Sequence, residues 1–151
     1  MKVFRFMSYD EFKKYKKGQV LENNTKHIGK TNSVGFCFLD ADEIDVKQAL
    51  HFLSGIASFD ICAVFETKKK LNKTYGEYAK PIKDYDKQNP LQFYHDLIML
   101  SQDIPENRMK INEYCTKKYS KADFRLIKYS ENIWSQWNII DHQKELVWKE
   151  V

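Results

Sequence analysis

Glycine and proline are scarce in this chain, five and three among 151 residues. That excludes collagen-like repeats and a loop-rich secreted scaffold, and 42% hydrophobic residues against 30% charged ones argue against disorder. Cysteine is scarce as well. Cys37, Cys62 and Cys115 are odd in number and widely spaced, with no CxxC pair, so they read as reduced core residues and not as a disulfide framework. Long apolar runs are missing, and the N-terminal stretch lacks the basic start, apolar stretch and small-residue cleavage site of a signal peptide. The expectation is a cytoplasmic protein with no membrane partner.

Several catalytic signatures are absent too. The chain has no GxxxxGK[ST] phosphate loop, no GxGxxG after a strand, no HExxH and no GxSxG. His27, His51, His95 and His142 are scattered, which leaves no expected metal site. Charge is nearly balanced, 25 basic residues against 21 acidic ones. Lysine clusters at Lys13-Lys14, Lys16-Lys17, Lys68 to Lys70 and Lys117-Lys118 have little aromatic interleaving and read as solvated faces, so nucleic acid is a possible partner that is not favoured.

What is present is enough apolar sequence for one α+β domain spanning residues 1–151. Residues 2–7 read as a strand, with Val3, Arg5 and Met7 on one face and Phe4 and Phe6 on the other. Ser8-Tyr-Asp-Glu11 has the S-x-x-E spacing of a capping box, Met7 and Phe12 form a hydrophobic staple, and Gly18 ends the helix. A polar loop over 22–33 opens into a strand over 34–39. A helix follows over 46–56, then an apolar strand over 60–66 and a helix over 90–101. Two strands with a connection fill 109–129; the C-terminal stretch holds all three tryptophans, of which Trp134 and Trp137, three apart, read as one helical face packed into the core, with Trp148 following.

Arg5 is the residue that needs explaining. A guanidinium keeps its charge, so within an apolar strand it requires an anion. That anion is either a carboxylate, with Glu66 and Asp60 as candidates, or a phosphate of a ligand.

Three stretches then align: Arg5 with the following Ser8 and short helix, Thr31-Asn32-Ser33 leading into Gly35-Phe36-Cys37-Phe38, and Glu113 on a late strand. In these stretches the sequence resembles a divergent member of the ADP-ribosyltransferase fold, in the branch built on an arginine, a serine motif and a glutamate. The resemblance covers about the first 80 residues well and the rest loosely. It implies a single domain of split antiparallel sheets with flanking helices, and transfer of ADP-ribose from NAD to a protein, nucleic acid or small molecule. The context it implies is a toxin, a defence protein or a phage-encoded counter-defence protein.

Residue by residue, the resemblance implies Glu113 and Ser33 as catalytic groups, with Arg5, Thr31 and either Tyr75 or Tyr78 holding NAD. Breaking the nicotinamide–ribose bond develops an oxocarbenium-like cation, which a carboxylate stabilises while holding the ribose 2′-hydroxyl. Arg5 would meet the pyrophosphate or ribose edge with its planar fork, and Ser33 would hydrogen-bond the glutamate or ribose. Glu77 is the second carboxylate candidate. Ile111 stands where many members of the branch carry Glu or Gln to direct transfer to a protein side chain, and Asn32 sits at the centre of the serine motif. The competing expectation is a non-catalytic interaction protein, such as a phage-encoded inhibitor, on an α+β scaffold.

Overall fold

The computed structural model describes residues 1–25, 34–53, 59–79, 87, 89, 91–92, 95–96, 106, 108–133 and 145–151, leaving aside the side chains of 51–53, 76–79 and 108–109. The chain runs β1 (Lys2–Met7), α1 (Tyr9–Lys16), β2 (Leu21–Glu22), β3 (Phe36–Asp40), α2 (Val46–Leu53), β4 (Ile61–Thr67) and β5 (Asn72–Ala79). It continues with β6 (Arg108–Thr116), β7 (Lys118–Tyr119), β8 (Phe124–Glu131) and β9 (Lys149–Glu150). Seven strands form one sheet in the order β5-β6-β3-β1-β4-β8-β9, antiparallel at every junction, and β2 pairs with β7 as a separate ribbon. The result is a single α+β domain with its strongest apolar strands, β1 and β4, in the middle of the sheet.

Alternation along these strands divides the core in two. Val3 and Met7 of β1, Phe36 and Phe38 of β3, and Ile61, Ala63 and Phe65 of β4 bury one face under Phe12 and Tyr15 of α1, with Tyr119 and Phe124. Phe4 and Phe6, Cys62 and Val64, and Ile111 bury the other face under Ala49 and Leu50 of α2, with Ile133 and Leu146. A strand can be apolar on both sides only when both faces are covered, and β1 and β4 meet that condition. Trp148 packs against the second cluster with the Lys128 ammonium 4.7 Å above its ring, while Trp134 and Trp137 lie outside the described residues.

Helix α1 starts as its sequence predicts. The Ser8 hydroxyl accepts the Glu11 amide at 3.2 Å, Met7 and Phe12 are both buried, and Gly18 ends the helix with φ of +81°. Strand β5 was not expected: Lys73, Gly76 and its other polar residues give it weak strand propensity, and it forms at the sheet edge by pairing along Arg108–Cys115 of β6. Gly35 is held where no side chain fits. Its φ is +85°, and a Cβ there would stand 2.4 Å from the Thr116 oxygen and 2.8 Å from that of Asn23. The expected helix over 90–101 falls largely outside the described residues.

Candidate functional site

Arg5 has its anion in Glu11. Nε donates to Oε2 at 2.7 Å and Nη2 to Oε1 at 2.8 Å, the two parallel bonds that a guanidinium and a carboxylate make when their planes match. The third prong, Nη1, donates to the Cys37 carbonyl at 3.1 Å. Neither carboxylate expected for this role takes it. Glu66 pairs with Arg125 at the surface, and Asp60 accepts the Tyr9 amide.

The same finding corrects the capping box. Ser8 does its half, but Glu11 does not close the box back onto Ser8; its carboxylate is taken by Arg5 and by the Tyr119 hydroxyl, which donates to Oε2 at 2.7 Å. The ion pair is largely dehydrated, each side chain about one-sixth exposed at 17% and 16%. Aromatic rings enclose it, with Arg5 Cζ 5.1 Å from the Phe36 centroid and 5.8 Å from that of Phe38. Burial lowers the Arg5 pKa, and the Glu11 hydrogen bonds and charge outweigh it, so the guanidinium holds its proton above the ordinary value. Burial first, and then the Glu11 charge, push the Tyr119 phenol up.

Glu113 occupies the other face of the sheet. It is 3% exposed, and on that face Cys37 of β3 meets Cys115 of β6, the two residues being paired in register with Sγ atoms 3.1 Å apart. One Glu113 carboxylate oxygen and the two sulfurs all lie within 4.8 Å of one another. Phe36 and Phe38, the rings beneath Arg5, flank Cys37 in sequence and point the opposite way. Arg5 and Glu113 are therefore separated by the sheet, and the expectation that both face one NAD cleft is corrected by the alternation of β3.

The remaining expected residues divide as follows. Thr31 and Ser33 lie outside the described residues, immediately before β3. Tyr75 stands opposite Asn112 in the β5–β6 register, one position from the Thr74–Glu113 pair, so alternation turns it from the Glu113 face; the Lys110 ammonium lies 4.7 Å above its ring. Tyr78 stands opposite Met109 and Glu77 opposite Lys110, with both side chains outside the described residues. Thr74, which was not expected, faces the Glu113 side with its hydroxyl 3.7 Å from Cys115 Sγ. Its signal would have been the strand assignment of β5, which its polar composition concealed.

Cys37, Glu113 and Cys115 form the one group among the described residues whose donor atoms converge enough to hold a metal ion. Widely spaced cysteines carried no such signal, because 78 residues separate them and only the antiparallel β3–β6 register joins them. Among the described residues no helix is long and apolar enough to cross a membrane. No protein-family model matches the chain, and neither does any curated protein or solved structure.

Proposed function

We propose that the protein is a small NAD-dependent ADP-ribosyltransferase-type enzyme with Glu113 as its catalytic carboxylate. The observation that carries the reading is the burial of Glu113 at mid-strand in β6, since a sheet interior is a costly place for a carboxylate that serves no purpose. The order of elements supports it: an arginine-bearing strand and short helix, then a Gly-aromatic strand and second helix, then an apolar strand and a late strand with the glutamate. In this reading Glu113 stabilises the cation that develops at the ribose as nicotinamide leaves, and the acceptor attacks the freed carbon. Arg5 is a positioning residue, because it grips the carbonyl of Cys37, whose side chain packs beside Glu113.

A second reading, a non-catalytic interaction module, is favoured by the occupied fork of Arg5 and its place across the sheet from Glu113. Titration with NAD, followed by assay of released nicotinamide, separates the two. Heat on binding and nicotinamide release by the wild type, with release lost in Glu113→Gln at an unchanged melting temperature, support the enzyme. Neither heat nor nicotinamide overturns it and leaves the interaction module.

A further inference from the structure

Among the described residues, two thiols meet at the junction of β3 and β6. Cys37 and Cys115 are direct partners in the antiparallel register, and their sulfurs are 3.1 Å apart. Antiparallel partners have Cα atoms about 4.5 or 5.5 Å apart, depending on the hydrogen-bonding pattern, and both values lie within the range a disulfide spans. A tetrahedral zinc ion with bonds of about 2.3 Å would hold two sulfurs about 3.8 Å apart. The observed separation is shorter than that and about 1 Å longer than an S–S bond. The pair is thus better set to join than to share a metal.

Access is divided between the two thiols in the way such a reaction requires. Cys37 is partly exposed, whereas its cross-strand partner Cys115 is buried. Cys62 is also buried, and it belongs to β4, whose neighbours in the sheet are β1 and β8. Burial pushes its thiol pKa up, which suppresses the thiolate needed for reaction.

We propose that Cys37 and Cys115 are a peroxide-sensitive dithiol that closes into a cross-strand disulfide beside Glu113. The Cys37 thiolate attacks one oxygen of the peroxide, the O–O bond breaks, and a sulfenic acid forms with release of water. The Cys115 thiolate then attacks the Cys37 sulfur and forms the S–S bond. The displaced hydroxide takes up a proton as a second water, so that two thiols and one peroxide give one disulfide and two waters. A dithiol reductant reverses the step by exchange. The thiol chemistry stands independently of any NAD chemistry at Glu113.

The test is hydrogen peroxide treatment of the intact protein, followed by peptide mapping by mass spectrometry. The expected result is loss of two hydrogens, a linked peptide pair carrying Cys37 and Cys115, an unmodified Cys62, and full recovery on reduction. In Cys115→Ser the Cys37 sulfenic acid should persist and be trapped by dimedone, while Cys37→Ser should form no intramolecular bond. The map of the wild type decides the matter even if a variant fails to fold. Oxidation that links Cys62, that joins separate molecules, or that carries Cys37 to sulfinic acid with Cys115 still reduced overturns the proposal.

Discussion

Arg5 and Glu11 are six residues apart in the chain, yet they bind as a two-pronged pair across the junction of β1 and α1. The strand supplies the cation on its α1 face, and the first turn of the helix returns the anion to it. Tyr119, from the β2–β7 ribbon, donates the third hydrogen bond and so ties that ribbon to the same carboxylate.

Removing one partner should cost more than removing both. Arg5→Met leaves the Glu11 carboxyl among aromatic rings without its cation and is expected to destabilise by about 2–4 kcal/mol, and Glu11→Leu by a similar amount. The double variant should recover a large part of that loss. Urea denaturation of the four proteins measures the coupling, and strictly additive losses would show that the pair is not acting as a unit.

Gly35→Ala and Gly18→Ala should separate two costs of a positive φ. Both glycines are left-handed, but a Cβ at Gly18 enters open space whereas one at Gly35 strikes the Thr116 and Asn23 backbone oxygens. We expect about 1 kcal/mol for Gly18→Ala and about 2–4 kcal/mol for Gly35→Ala. Equal denaturation midpoints for the two variants would refute the close packing at Gly35.

Alkali should weaken the fold, because two buried acids, the Cys62 thiol and the Tyr119 phenol, hold their protons more tightly in the native state than in the unfolded chain. Burial pushes the Cys62 thiol and Tyr119 phenol up, so as pH rises the unfolded chain loses these protons first and the native state binds more of them. Stability therefore falls with rising pH. The contribution is complete below the ordinary thiol and phenol range and is lost from about pH 9 upward. Thermal midpoints between about pH 7 and 11 should decline, and less steeply in Tyr119→Phe, which itself should cost about 1–2 kcal/mol through the lost bond to Glu11.

Ser8→Ala removes the one side-chain cap of α1 and is expected to cost about 1 kcal/mol. Ser8→Asp should restore the cap. Because Glu11 does not reciprocate, Glu11→Gln should instead act through Arg5, and since the Ser8 hydroxyl accepts from the Glu11 backbone N–H, which that substitution leaves in place, a double-mutant cycle of Ser8→Ala with Glu11→Gln should show little coupling.

Local order was legible in the chain itself. The period of two in Val3 to Met7 assigned Arg5 and the phenylalanines to opposite faces, and Ser8 with Gly18 bracketed α1, because these depend on neighbours a few residues away. The apolar β4 and the paired late strands followed from composition. Strand β5 did not, since its polar residues form a strand by hydrogen-bonding to β6 and not by propensity.

What the sequence determined by itself was that Arg5 needed an anion, because a guanidinium cannot shed its charge in an apolar strand. Which anion it met was decided by tertiary structure. The turn at Ser8 folds α1 back over β1 and aims Glu11 at the guanidinium, displacing the capping-box role that the same residue has on paper. The meeting of Cys37 with Cys115, and the separation of Arg5 from Glu113, come from the β1–β3–β6 order and register, which hydrogen bonds between distant segments set and no local pattern encodes.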